Sequence, residues 1–177
     1  MQADADTAAR PVVETLLRGL SRAETWVAIA AISISGTLLM ADVLGREVMG
    51  QGIPWAQRVA VYCATIAGML GFVIAIQSGE HLRPRVLDGV FPPAMRPAVG
   101  RIGYFVSAAI FAFLAYHSYL FVQASAIDGH RGVGLDLPVW PMQVILPYAF
   151  VSAALRYLAY AAYPQIAPSK DEAEIPQ

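Results

Sequence analysis

Four long intervals without a charged side chain constrain this chain more than any other feature. Nothing charged lies between Glu24 and Asp42, Arg58 and Glu80, Arg101 and Asp128, or Asp136 and Arg156, intervals of 17, 21, 26 and 19 residues. A helix needs about 20 apolar residues to cross roughly 30 Å of hydrocarbon. One such helix can be buried in a soluble core, but four in succession leave no amphipathic elements to cover them. Continuous apolar runs also exclude a membrane barrel, whose strands alternate residue by residue. Only 14% of the 177 residues are charged, against about 25% in an ordinary soluble domain. The expected fold is therefore an all-α integral membrane protein with four transmembrane helices, near 25–47, 55–78, 98–126 and 138–163, in a membrane domain covering 24–163.

The flanks of these intervals agree with their limits. Trp26, Trp55 and Trp140 stand at the start of three spans, and Tyr157, Tyr160 and Tyr163 close the fourth. Amphipathic rings prefer the water interface. Pro54 precedes the second span, and Pro138 and Pro141 frame the first turn of the fourth, where a missing N–H costs little. Pro147 falls inside the fourth span and should bend it.

With a cytoplasmic amino terminus, that side receives Arg10, Arg18, Arg22, Arg83, Arg85, Arg96, Arg101, Arg156 and Lys170. The other side receives Arg46, Arg58 and Arg131. Nine against three is a positive-inside bias, so both termini are expected in the cytoplasm. A cleaved signal peptide is not expected, because Asp4 and Asp6 open the chain and the first apolar run is long and set far in. Residues 1–10 read as a flexible amino terminus and 11–23 as an interfacial amphipathic helix. In that helix Val13, Leu16, Leu17 and Leu20 share one face, and Glu14, Arg18 and Arg22 another. The loop from Arg83 to Pro97 has a similar pattern, and 164–177 read as a disordered tail.

Little here supports catalysis. The net charge of -1 offers no nucleic-acid footprint, and Cys63 is the only cysteine. There is no nucleophile elbow, zinc-protease motif or phosphate-binding glycine loop, and Gly129, Gly132 and Gly134 read as a flexible outer loop. The chain is not expected to be an enzyme or to hold a cofactor. Asp42 and Arg46 share a helix face near the outer end of the first span. An internal ion pair is the preferred reading of them, with ion binding or proton relay as the alternative. His117 is the one ionisable residue well inside a span. A neutral histidine hydrogen-bonded between helices is the preferred reading. An axial haem ligand is the other, which would make the chain a haem- or quinone-associated anchor of a respiratory complex.

The second span carries a more informative pattern. Ala60, Ala64, Gly68, Gly71 and Ala75 form one narrow stripe of small residues. Such a stripe lets a second helix approach closely, which is how membrane helices associate without a hydrophobic driving force. Packing within this chain and packing against a partner subunit both account for it.

Taken in order, these landmarks resemble the small membrane subunit of TRAP (tripartite ATP-independent periplasmic) transporters, the DctQ-like family, over about residues 24–160. Asp42-Val43-Leu44-Gly45-Arg46 is similar to the family's Asp-x-x-x-Arg at the end of the first helix. Ile53-Pro54-Trp55-Ala56 resembles its Pro-Trp entry to the second, and Gly79-Glu80-His81-Leu82 the Gly-x-His-Ile segment that follows it. Leu135-Asp136-Leu137-Pro138-Val139-Trp140, then Pro147, resembles the pattern of the fourth. The family commonly has acidic residues just after the Pro-Trp pair. This chain has Gln57 and Arg58 there, so a partner with compensating charge is the corresponding hypothesis. The resemblance implies a scaffold subunit in the bacterial inner membrane, packed against a large membrane subunit. That subunit would carry out sodium-coupled uptake of an organic acid delivered by a periplasmic binding protein.

Overall fold

The computed structural model describes residues 2–78, 96–129 and 138–167, and within them every long element is a helix. These are α1 (Gln2–Met49), α2 (Ala56–Gln77), α3 (Arg96–Ile127), the single turn α4 (Trp140–Gln143) and α5 (Ile145–Ala162), followed by a 3-10 turn at Pro164–Ile166. Four stretches are long and apolar enough to cross a membrane: Val13–Met49, Ala56–Gln77, Val99–Ile127 and Trp140–Ala162.

Packing proceeds from α1 to α2, from α2 to α5, and from α5 to α3. Arg101 Nε donates to the Ala161 carbonyl at 3.3 Å, while Phe111 meets Tyr157 and Phe150 farther along, so α3 and α5 run antiparallel. Phe72 meets Phe150 and Gln77 meets Arg156, so α2 and α5 run parallel. The two hairpins, α1–α2 and α3–α5, join along the α2–α5 seam.

Small residues make these approaches possible. Ala31, Ala56, Ala60, Ala108, Ala115, Ala149, Ala153 and Ala154 are buried, as close helix packing in lipid requires. Ser35 Oγ donates to the Ala60 carbonyl at 2.9 Å, a buried polar link between α1 and α2. Aromatic rings fill the space that alanines leave between the hairpins. Phe111 lies parallel to Tyr157 with centroids 5.5 Å apart, and Phe72 approaches Phe111 at 5.6 Å. The outer surface is apolar, with Ile29, Ile32, Phe105, Ile110, Phe113 and Phe121 about half exposed or more.

Two boundaries differ from the sequence reading. α1 runs unbroken from Gln2 to Met49, with no separate element over 11–23 and no coil over 2–10. No residue near position 23 stops a helix, because Ser21-Arg22-Ala23-Glu24 is compatible with continued propagation. The fourth span is split: α4 ends at Gln143 and α5 begins at Ile145. Pro147 accounts for the split, since it has no N–H for the Gln143 carbonyl and its ring crowds that carbonyl. Regular bonding resumes with Tyr148 N–H to the Val144 carbonyl at 3.2 Å. The 83–97 loop, except for the start of α3, and the tail beyond 167 lie outside the described residues.

Candidate functional site

Three features stand out: a polar joint at the turn of the first hairpin, a buried charge cluster near the other end of α1, and the outward face of α2. Glu24 and Asp42 mark the two ends on α1. They are 18 residues apart, or roughly 27 Å at helical rise, close to the thickness of a hydrocarbon core.

The joint begins where α1 stops. Gly50 has φ +70° and its N–H donates to the Arg46 carbonyl at 3.1 Å, the left-handed ending that glycine adopts without penalty. The chain then folds back over Asp42. That carboxylate accepts from Arg46 Nη2 at 2.6 Å through Oδ2 and from the Ile53 N–H at 2.6 Å through Oδ1. Asp42 is buried, whereas the Arg46 side chain is 60% exposed. A Cβ on Gly52 would fall 2.6 Å from Asp42 Oδ1, and one on Gly45 3.2 Å from the Gln51 carbonyl oxygen. The pair thus fixes the turn that delivers Pro54 and Trp55 to the start of α2.

The second cluster was not anticipated as a site. Glu24 and Arg156 form a buried ion pair, with Arg156 fully enclosed. Glu24 Oε1 also accepts from Tyr148 Oη at 3.0 Å and Ser152 Oγ at 2.9 Å, and Arg156 Nη1 donates to Gln77 Oε1 at 2.8 Å. Counting Arg156 among the cytoplasmic surface charges is therefore corrected: it is an interior residue. Its signal was present in the sequence. Tyr148, Ser152 and Arg156 repeat every four residues, which puts them on one face of α5.

The small-residue stripe does not face one environment. Ala60 is buried against α1, Ala75 is half-buried, and Ala64, Gly68 and Gly71 are exposed. A Cβ on Gly68 or Gly71 would meet no atom within 4 Å, so this part of the stripe packs against none of the described helices.

His117 is placed differently from the preferred reading. It is exposed on the outer side of α3, its ring 4.3 Å from that of Phe113, and does not bridge two helices. Gln57 is exposed, and Arg58 is half-buried with Nη1 lacking a hydrogen-bond partner among the described residues. Trp55 and Trp140 are partly exposed at the starts of their helices, and Pro138 lies just before α4. Gly79, His81, His130, Gly132 and Gly134 lie outside the described residues. Among the described residues no group of three His, Cys, Asp or Glu side chains is arranged to hold a metal ion.

Comparison with known proteins agrees with this architecture. The ectoine TRAP transporter small permease protein TeaB of Halomonas elongata is 24% identical over 149 residues, covering 82% of this chain and 74% of that protein. The sialic acid TRAP transporter permease protein SiaT of Haemophilus influenzae is 26% identical over 145 residues, covering 77% of this chain. The matched part is only 23% of SiaT, a much longer protein. Residues 34–165 match the family described as tripartite ATP-independent periplasmic transporters, DctQ component. This chain of four apolar helices therefore belongs to the DctQ family.

Proposed function

We propose that this chain is a non-catalytic scaffold subunit of a TRAP-type secondary transporter and packs against a large membrane subunit through the outward face of α2. The observation that carries this reading is the exposure of Gly68 and Gly71, with open space where their side chains would be. Glycine is a poor choice for a helix face meant only for lipid, because it lowers helix stability and contributes no apolar contact. It is a good choice where a second backbone comes close. The polar side chains tell the same story from the other side. Asp42 and Glu24 are both bonded within the chain, holding helices together.

SiaT adds an independent support. There the region similar to this chain is joined covalently to a remainder more than three times its length. A DctQ-like region is thus one part of a single, longer TRAP transporter permease protein.

In this reading the large subunit moves an organic acid, driven by sodium and delivered by a periplasmic binding protein, while the small subunit binds neither substrate nor cofactor. The bundle lies in the bacterial inner membrane with both termini cytoplasmic. Removing the buried Arg156 from the tally leaves eight basic residues against three, which still favours that orientation.

The test is co-purification. A Gly68→Leu, Gly71→Leu variant should insert and remain helical but lose the co-expressed large subunit. Recovery of both subunits in the wild-type ratio would overturn the proposed interface.

A further inference from the structure

The Glu24–Arg156 cluster joins helices that barely touch otherwise. α1 packs chiefly on α2, and α5 on α3 and α2, yet Glu24 of α1 reaches three side chains of α5, and Arg156 reaches the last residue of α2. We infer that Glu24 and Arg156 are a charge-neutral latch that joins the first span to the last and closes the two hairpins into one bundle.

The physical argument starts from the cost of each charge alone. An ionised side chain taken out of water is expensive unless it is paired; Arg156 is the only charge in α5, and after Glu24 the next charge along α1 is Asp42. Glu24 is 3% exposed and Arg156 0%, so neither is relieved by water. Brought together they cancel, and the carboxylate is further satisfied by the Tyr148 and Ser152 hydroxyls. Nothing apolar drives one hairpin onto the other in lipid, so a mutually required pair gives the docked arrangement a preference that separated hairpins lack.

The latch has a consequence for assembly order. Glu24 belongs to the first of the four spans and Arg156 to the fourth, so the pair cannot form until all four are inserted. Until α5 arrives, the Glu24 carboxylate lacks Arg156 and the Tyr148 and Ser152 hydroxyls. A completed bundle is selected over a partial one by charge balance.

A double-mutant cycle on the full chain tests this, read as the thermal midpoint of the detergent-solubilised protein and as its yield in the membrane. Glu24→Gln keeps hydrogen-bonding capacity but leaves Arg156 uncompensated, and Arg156→Gln does the converse. Each single variant should lower the midpoint by on the order of 10 °C, as loss of one partner of a buried pair does. The E24Q/R156Q double variant should lose less than half of the summed effect, and the reversed pair E24R/R156E should regain part of the yield. Additive losses, or single variants that match the wild type, would overturn the latch. If the single variants do not accumulate, the double and reversed variants decide. Accumulation of either supports charge balance, and failure of both overturns it. Because these readouts use the subunit alone, they stand apart from the large-subunit interface.

Discussion

Gly52 lies so close to the Asp42 carboxylate that a Cβ at this position would sit 2.6 Å from Oδ1 and 2.7 Å from Arg46 Nε. The turn between α1 and α2 is thus closed by a side chain from α1 occupying the space a side chain at 52 would need. Gly52→Ala should push the Asp42–Arg46 pair out of place and destabilise the protein by about 1–3 kcal/mol, as overpacking does. Thermal unfolding in detergent measures it, and an unchanged midpoint would show that the turn tolerates the methyl group.

The same turn predicts unequal roles for its two charges. Asp42 is buried and holds the Ile53 N–H, whereas Arg46 is mostly exposed. Asp42→Ala leaves that backbone donor unpaired and should cost about 1–3 kcal/mol. Arg46→Ala should cost less than about 1 kcal/mol, since exposed ion pairs contribute little. Equal losses in unfolding experiments would contradict this division.

On α2 the prediction has the opposite sign. Gly68→Ala and Gly71→Ala add a methyl group where no atom lies within 4 Å, and alanine is the better helix former by roughly 0.5–1 kcal/mol. The isolated subunit should be as stable as the wild type or slightly more so. A clear loss of stability would mean that these glycines pack inside the chain.

A pair of phenylalanines separates core from outer face. Phe111 is 9% exposed and meets Phe72, Phe150 and Tyr157, whereas Phe113 is 63% exposed. Phe111→Ala should cost about 3–5 kcal/mol, while Phe113→Ala in the isolated subunit should be nearly neutral. Comparing the two midpoints in one detergent checks both, and a costly Phe113→Ala would show that the outer face of α3 supports the bundle.

The sequence by itself determined that this chain enters a membrane, how many times, and roughly where each crossing begins and ends. Those properties follow from one-dimensional quantities: a run of about 20 apolar residues is long enough to span, and Trp and Pro sit at the ends. It also identified the Asp42–Arg46 pair, because residues four apart on a helix are neighbours whatever the fold. Which way a helix turns its faces was a different matter. The Ala60–Ala75 stripe was visible, but only packing divided it, with Ala60 against α1 and Gly68 and Gly71 facing out. His117 reads as interior by its position in a span and lies on the outer side because α3 turns Ala115 and Ser118 inward instead. The Glu24–Arg156 pair is separated by 132 residues, so no local rule relates the two charges. Each ends an apolar interval and reads alone as a boundary residue. Only the tertiary structure brings α1 beside α5 at the same depth, where two apparent edge charges become one buried pair.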